Sequence, residues 1–250
     1  MAEAAVWAML LGVLGAIAGS FLATIAVRWP QERSVLRGRS ACDGCARTLR
    51  ARDLVPLLSW AVARGRCRAC GTRIDARHPG IEAGCAAIGV ASALAAPGPA
   101  GMAGAVFGWL LLTLAVMDAR DFWLPDALTL ALGLGGVASS LIAPPEPTDR
   151  LIGGVAGFAL LWLVAAGYRA WRGAEGMGGG DPKLFGGIGL WLGWRMLPPV
   201  LLVAGLVGLG WTLWRRWRGE AVARDDMMPL GTLMAIAAYP AWLVMVRHGP

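Results

Sequence analysis

The chain has 250 residues, of which 57% are hydrophobic and only 16% are charged, and its formal net charge is +7. This composition is too apolar for an ordinary soluble domain and indicates an integral membrane protein. A basic surplus could also suggest a nucleic-acid-binding protein, but here the basic residues lie beside apolar segments. We therefore read the surplus as a sign of membrane topology and expect no nucleic-acid partner.

The first apolar run covers residues 4–27 and is long enough to cross the roughly 30 Å hydrocarbon core of a bilayer as a helix. Glu3 precedes the run and arginines follow it, which is the reverse of the charge pattern of a cleaved signal peptide. We predict a permanent membrane anchor with its N-terminus outside the cytoplasm. The arginines that follow are Arg28, Arg33, Arg37 and Arg39.

A polar loop over residues 28–78 contains two CxxC pairs with 21 residues between them. This spacing is typical of a tetrahedral four-cysteine zinc site, and the neighbouring arginines favour the thiolate form. The loop has few apolar residues, so a structural ion would supply stability that a core cannot. Two disulfides are the alternative, but they require an oxidising compartment. The predicted zinc ligands are Cys42, Cys45, Cys67 and Cys70.

Seven further apolar runs follow the loop, which gives about eight candidate membrane spans. Only Arg195 and the pair Pro198-Pro199 divide the sixth span from the seventh, so a seven-span arrangement stays open. The predicted fold is an all-α, polytopic transmembrane helical bundle with a small cytoplasmic loop domain that binds zinc through four cysteines. The seven runs lie near 80–96, 102–117, 127–143, 151–168, 183–197, 198–214 and 229–246. The predicted division of the chain is a first transmembrane helix at 1–27, the zinc-binding loop domain at 28–79 and a membrane core at 80–250.

The distribution of arginine between the two sides of the membrane tests this predicted topology. With the N-terminus outside, the predicted cytoplasmic loops hold 19 arginines and the predicted outside segments hold three. The positive-inside rule expects such a bias. We therefore predict a multi-pass protein of the bacterial inner membrane, embedded in lipid, with loops near 28–78, 118–126, 169–182 and 215–228 in the cytoplasm.

Five acidic residues lie near the predicted cytoplasmic ends of spans, where ionisable groups are candidates for function. Asp126 follows Pro125 at the start of an apolar run, so we expect it to cap a helix N-terminus. Asp121 and Glu175 lie in loops, and solvation explains them. Asp118 and Asp181 remain as the candidates for chemistry.

Asp118 ends an apolar run, where a helix C-terminus disfavours a carboxylate, and residues placed against local preference often serve function. Asp181 sits between a glycine-rich stretch and Pro182, a pattern that capping also explains. The many glycines before Asp181 favour a functional role over simple capping, because glycines allow a second backbone to approach closely. Two such carboxyl groups can share one proton. The ionised group can then activate water, while the protonated group polarises a scissile carbonyl and protonates the leaving amine.

Several motifs in order resemble one family, the type IV prepilin peptidases, which are GxGD-type membrane aspartyl proteases. The resemblance covers nearly the whole chain and includes the two CxxC pairs. The other motifs are Gly19-Ser20-Phe21-Leu22, Arg64-Gly65-Arg66-Cys67-Arg68, His78-Pro79-Gly80-Ile81-Glu82, Asp118-Ala119-Arg120, Leu124-Pro125-Asp126, Gly178-Gly179-Gly180-Asp181-Pro182-Lys183-Leu184, Leu192-Gly193-Trp194 and Pro229-Leu230-Gly231.

The resemblance implies cleavage of class III leader peptides from pilin or type II secretion pseudopilin precursors at the cytoplasmic membrane face. It implies that Asp118 and Asp181 are the catalytic pair. In many members the new N-terminus is then methylated with S-adenosylmethionine. The chain departs from the family pattern at Ala23, where asparagine is usual, and at His78, where tyrosine is common, and both positions lie in the region linked to methyl transfer.

Two alternatives stay open from the sequence. A proton- or ion-coupled transporter also uses intramembrane carboxylates, although its sites tend to lie near the bilayer midplane between repeated halves. A GxGD protease with another substrate, such as a preflagellin peptidase, would share the aspartate motif. The four-cysteine loop distinguishes the predicted family from those proteases.

Overall fold

The computed structural model describes residues 2–35, 39–220 and 227–248 and is helical, with two isolated β-bridges, Ala41–Thr48 and Arg66–Arg73, in the polar loop. The all-α prediction is confirmed. Arg37 and Arg224, which the charge comparison counted, lie outside the described residues. The helices are α1 Ala2–Arg28, α2 Leu58–Val62, α3 Arg77–Ala95, α4 Pro99–Asp121, α5 Asp126–Ser139, α6 Pro147–Arg172, α7 Gly180–Leu192, α8 Leu197–Trp217 and α9 Leu230–His248.

Within the described ranges, five helices are long and apolar enough to cross a membrane, namely α1, α4, α6, α8 with the turn before it, and α9. The count of about eight spans is therefore not confirmed. Helices α5 and α7 follow the predicted fourth and sixth runs but have only 14 and 13 residues. About 20 residues are needed to span the hydrocarbon core as a helix, so these two are too short by themselves.

The chain divides into two compact units, residues 1–113 and 114–250. In the first unit, α1 and α3 pack closely because small residues face each other. A Cβ atom added at Gly15 would collide with the carbonyl oxygen of Cys85, and one at Gly89 would collide with that of Leu11. Such small-residue contacts let membrane helices approach without bulky side chains between them. Cys85 is fully buried there.

In the second unit, α6 and α7 also pack through glycine. A Cβ atom at Gly189 would collide with the carbonyl oxygen of Gly153, and one at Gly157 would lie 2.9 Å from that of Phe185. This close packing fixes α7, which carries Asp181, against the long helix α6. The ends of α5, α6 and α7 farthest from Asp181 meet at Arg150, which is only 2% exposed.

The break between the sixth and seventh predicted runs lies at a different residue from the one expected. Helix α7 ends at Leu192, and Gly193 follows with a φ of 73°, a left-handed conformation that favours glycine. Pro198 and Pro199 instead lie in the first turn of α8, where the missing backbone N–H breaks no helical hydrogen bond. The two runs are thus separate helices.

Candidate active site and metal site

Asp118 lies in the last turn of α4 and is 5% exposed. The chain leaves this helix at Phe122, whose φ of 48° is left-handed and whose N–H donates to the Asp118 carbonyl at 3.0 Å. This arrangement resembles the turns that end many helices, with phenylalanine where glycine is usual. The reversal directs the chain into Leu124 and then into α5.

The Asp118 carboxyl group accepts hydrogen bonds from the N-terminal end of α9. Its Oδ2 atom lies 2.7 Å from the Thr232 backbone nitrogen and 3.0 Å from the Thr232 hydroxyl. A further backbone hydrogen bond comes from Gly231. The first N–H groups of a helix have no partner within the helix, and the helix dipole favours an anion there. Asp118 on α4 therefore accepts hydrogen bonds from N–H groups that α9 cannot pair within itself, and these bonds hold the Asp118 side chain in place.

Asp181 is the second residue of α7 and is 6% exposed. The capping alternative does not hold for this residue, because Gly179 is the N-cap residue of α7. A backbone hydrogen bond from Gly178 instead reaches the Asp181 carboxyl group. The buried carboxyl group is therefore held beside the glycine-rich turn.

Leu124 joins the segments that carry the two aspartates. A Cβ atom added at Gly180 would lie 2.7 Å from the Leu124 Cβ atom, and one at Gly231 would lie 3.0 Å from both Leu124 Cδ1 and Asp118 Oδ2. Glycine at these positions lets α7 and α9 close around Leu124 and Asp118. Asp118 and Asp181 are near enough to interact electrostatically. The fold thus brings both candidates into one buried acidic pair.

The other three acids lie outside this pair. Asp126 is the first residue of α5, the cap residue is Pro125, and no side-chain cap is formed, so the capping prediction is wrong. Its carboxylate instead accepts a 2.6 Å hydrogen bond from Lys183 on α7. Glu175 is exposed and pairs with Arg169 at 3.2 Å. Asp121 was predicted in a loop but is the last residue of α4, where it is exposed.

The four cysteines of the polar loop are free of disulfides, and their sulfur atoms lie within 4.8 Å of one another. Cys42 Sγ and Cys70 Sγ are 3.8 Å apart. Four sulfurs around a zinc ion at about 2.3 Å would be separated by roughly 3.8 Å, the edge of that tetrahedron. Their arrangement therefore fits a tetrahedral metal ion, and the cluster could hold one.

The two CxxC pairs form matching turns. Ala46 N–H donates to the Cys42 carbonyl and Gly71 N–H to the Cys67 carbonyl, both at 2.9 Å. Ala46 and Gly71, which follow the second cysteine of each pair, have left-handed φ values of 56° and 73°. The same backbone conformation thus presents each pair of sulfurs, at the cost of strain at Ala46.

Local hydrogen bonds already favour thiolate at part of the cluster. The side chain and backbone of Thr72 lower the pKa of Cys70 to about 6, and backbone N–H groups of Cys70 and Ala69 lower the pKa of Cys67. At Cys45 a backbone hydrogen bond from Arg47 acts in the same direction. The neighbouring thiols outweigh it and raise the pKa to about 11. Four thiolates crowded together need a cation to be stable, which is the condition that a metal ion meets.

Comparison with known proteins shows the family of this chain. Residues 13–96 match the bacterial peptidase A24 N-terminal domain, and residues 105–213 match the type IV leader peptidase family. A prepilin leader peptidase/N-methyltransferase of Dickeya chrysanthemi is 37% identical over 98% of this chain and 95% of the relative. The chain belongs to the type IV leader peptidase family.

Other relatives have the same name. The protein of Burkholderia pseudomallei strain 1026b is 37% identical over 89% of this chain and 81% of its own length. The protein of Aeromonas hydrophila is 39% identical over 82% of this chain and 71% of its own length. No solved structure matches the chain. The family and the prepilin peptidase function predicted from the motifs are confirmed, and the five long apolar helices make this family member a multi-pass membrane protein.

Sequence reasoning gave no role to Leu124 or to Thr232. Leu124 appeared only inside a family motif, and nothing local in the sequence indicates that it packs between two glycines. Thr232 directly follows the motif Pro229-Leu230-Gly231, which lies at the start of α9. Its place at the start of a predicted span could have signalled free N–H groups that favour an anion, but not which carboxylate would lie there.

Proposed function

We propose that this family member cleaves the leader peptides of pilin-like or pseudopilin precursors with Asp118 and Asp181 as its catalytic pair. The two carboxyl groups share one proton, because adjacent like charges cannot both ionise readily. The ionised group takes a proton from water. The protonated group polarises the scissile carbonyl, and a proton is delivered to the leaving nitrogen as the peptide bond breaks.

The observation that carries this proposal is the burial of both aspartates within electrostatic reach of each other, although they lie 63 positions apart in the sequence. Charged side chains are rarely buried in this way without a partner of opposite charge or a function. Lys183, the basic residue nearest to Asp181 in the sequence, is paired with Asp126 instead. A shared proton accounts for the absence of a cation from the contacts described for this pair.

The test uses purified full-length protein and a prepilin precursor in detergent or liposomes. Asp118→Asn and Asp181→Asn should each abolish cleavage while the protein accumulates in the membrane at the normal level. Asp126→Asn is the matched control, since it removes an exposed carboxylate near the same helix ends, and it should retain most of the activity. Processing at the normal rate by either dyad variant refutes the assignment. Asp118-dependent ion flux into liposomes without cleavage would instead favour the transporter.

We also propose that the ion held by Cys42, Cys45, Cys67 and Cys70 is zinc and that its role is structural. Zinc prefers four thiolates in a closed tetrahedral site, and all four positions are filled by protein. The ion would hold together a loop domain in which the largest apolar side chains, such as Leu58 and Val62, are exposed.

Metal analysis tests this assignment. One zinc ion per chain is expected in protein purified without added metal. The double variant Cys42→Ser and Cys67→Ser should contain none and should be cleaved faster by protease within residues 39–78. Cys85→Ser, outside the cluster, is the control and should keep its zinc. A metal-free, active enzyme whose four thiols react freely with an alkylating reagent excludes a structural zinc ion.

We propose the inner-membrane topology predicted from the sequence, with the dyad at the cytoplasmic face and the N-terminus outside. Support comes from the C-terminal ends of α6 and α8, where arginines accompany the highly exposed Trp171 and Trp217. Arginine marks the cytoplasmic side, and tryptophan favours the membrane–water interface. Cysteine-accessibility labelling at residue 171 in intact cells tests the orientation. Labelling by a membrane-impermeant reagent from outside would contradict it.

A second activity, methylation of the new N-terminus with S-adenosylmethionine, is supported by the names of the relatives and by a cavity in the first unit that contains several polar side chains. The cavity is lined by Thr24, Arg28, His78 and the buried Glu82, beside the cysteine loop. An arginine and a carboxylate fit the carboxylate and the hydroxyl or ammonium groups of that cofactor. His78, which stands where tyrosine is common in the family, lines the cavity. This difference from the family pattern therefore bears on the methylation activity.

Binding of labelled S-adenosylmethionine to the full-length protein tests this second activity. Arg28→Ala and Glu82→Gln should weaken binding without affecting leader cleavage, and Asp118→Asn should leave binding unchanged. His78→Tyr, which restores the common family residue, should retain or improve binding. Binding that is unaffected by both Arg28→Ala and Glu82→Gln places the cofactor elsewhere.

A further inference from the structure

Thr232 contacts Asp118 through two different donors. Its backbone N–H and its hydroxyl both reach the same carboxyl oxygen, Oδ2, at 2.7 and 3.0 Å. The hydroxyl also lies 2.9 Å from the carbonyl oxygen of Ala115, which precedes Asp118 by three residues in α4. The hydroxyl is thus held between the backbone and the side chain of α4, and it fixes the rotamer of the carboxyl group that it contacts.

The two aspartates differ in the donors that surround them. Asp118 accepts from Thr232 N–H and from the Gly231 backbone, and it shares the single proton of the Thr232 hydroxyl with the Ala115 carbonyl oxygen. The hydrogen bond described for Asp181 comes from the Gly178 backbone. Hydrogen bonds to the charged form favour that form, and the positive end of the α9 dipole acts in the same direction at Asp118. The shared proton should therefore reside on Asp181.

We propose that Thr232 is a positioning residue that makes Asp118 the general base of the pair by holding Oδ2 and leaving Oδ1 to face the lytic water. This inference rests on the proposed dyad and assigns a role to each of its members. It also gives a function to a residue 114 positions away from Asp118 in the sequence.

The chemistry balances with these roles. In the first step an O–H bond of water breaks and its proton moves to Asp118 Oδ1. The water oxygen bonds to the scissile carbonyl carbon, and the Asp181 proton moves to the carbonyl oxygen. In the second step the C–N bond breaks while the Asp118 proton moves to the leaving nitrogen. A hydroxyl proton of the tetrahedral intermediate then returns to Asp181, which restores the starting state.

The charged groups around Asp118 set its pH response together with Thr232. Asp181 on α7 interacts with it directly, and Lys183 on the same helix is held by Asp126 on α5. At the start of α9, the residues that approach Asp118 are the uncharged Gly231 and Thr232. Removal of the Thr232 hydroxyl therefore changes the stabilisation of the Asp118 carboxylate without removing a charge.

The experiment measures cleavage of a prepilin peptide by the full-length enzyme across pH. Thr232→Val keeps the size and the backbone N–H but removes the hydroxyl. It should lower kcat about tenfold, the value of one hydrogen bond to a charged group, with KM changed less than about twofold. The acid limb of the rate profile should move to higher pH. Thr232→Ser should restore both properties.

Thr113→Val is the control, because the buried Thr113 hydroxyl donates only to the Trp109 carbonyl at 2.8 Å in the described contacts. It should leave kcat and the acid limb unchanged. If the valine variant at 232 does not accumulate, Thr232→Cys provides a similar volume with a weaker donor. Unchanged kcat and pH profile in the Val or Cys variant refute the inference while the dyad stands. Normal cleavage by Asp118→Asn instead refutes the dyad.

Discussion

Replacement of Arg150 by methionine should be among the most destabilising changes in the second unit. The guanidinium group is 2% exposed, and its donors reach backbone carbonyls of α5, α7 and the loop before α6. Methionine keeps much of the length and apolar volume but donates no hydrogen bond. The six acceptors are Gly136 O at 2.7 Å, Ser139 Oγ at 2.8 Å, Ala143 O at 2.9 Å, Pro144 O at 2.7 Å, Pro145 O at 2.9 Å and Leu190 O at 3.0 Å.

The size of the effect follows from these bonds. Each acceptor left without a partner in a buried site costs about 1–3 kcal/mol, and the release of the buried guanidinium from its desolvation offsets part of the sum. A net loss of about 3–5 kcal/mol is expected. In a chain of this size a loss of 1 kcal/mol lowers Tm by about 2–4 °C, so Tm should fall by roughly 6–20 °C.

The assay is thermal unfolding of the purified protein in detergent, followed by intrinsic tryptophan fluorescence. Arg195→Met is the matched control, because the Arg195 side chain is 57% exposed and its pair with Asp149 is long, at 3.8 Å. Exposed pairs of this kind contribute about 0–1 kcal/mol. A Tm for Arg150→Met within the range of the control would show that the six hydrogen bonds do not anchor these helices, and the reasoning would be wrong.

Two further predictions concern glycine positions and are tested by the same unfolding measurement and by accumulation in the membrane. Ala46→Gly should stabilise the cysteine loop by about 0.5–1 kcal/mol, because Ala46 has the left-handed conformation that favours glycine. Gly71→Ala should destabilise the loop by a similar amount for the same reason, since a Cβ atom at Gly71 meets no other atom and only the backbone conformation is strained. Effects of the opposite sign would contradict the assigned turns. Gly189→Leu should prevent α6 and α7 from packing and abolish accumulation, whereas Gly167→Leu, where a Cβ meets no atom, should be tolerated. Equal accumulation of these two variants would exclude close packing at Gly189.

The sequence predicted the helices well where long apolar runs end in charge or in glycine and proline. Helix α1, predicted at 4–27, is observed at Ala2–Arg28, and the run near 151–168 became Pro147–Arg172. The predicted count of about eight membrane spans was not confirmed, because apolar runs as long as 17 residues formed shorter helices such as Asp126–Ser139. Apolarity indicates burial in lipid or in protein, and it does not distinguish between the two.

The capping pattern gave a wrong prediction at Asp126, and at Asp181 it was an alternative that the structure excludes. Asp126 and Asp181 each stand beside a proline at a helix start, which resembles a cap in sequence. In the structure Asp126 pairs with Lys183, and Asp181 is buried in the first turn of α7. Partners from distant segments decide the role of such carboxylates, and only the tertiary fold places those partners.

The sequence led to the candidate pair through several motifs in order, and the structure buries both aspartates, while their catalytic role stays a prediction. The supporting residues were not predictable. Leu124 and Thr232 contact the site through packing and hydrogen bonds between helices, and the sequence records neither. The four cysteines were predictable because their spacing alone limits the ligand geometry, and the sulfur atoms do form one cluster.

The central claim is that Asp118 and Asp181 act together as one proton-sharing pair. The most direct measurement is the single-turnover cleavage rate of a prepilin substrate by Asp118→Asn, Asp181→Asn and the double variant, each folded in the membrane. Residues that act as a unit are not additive, so each single variant should lose essentially all activity and the double variant should be no worse. Substantial cleavage by either single variant, or losses that add in the double variant, would contradict the shared-proton mechanism.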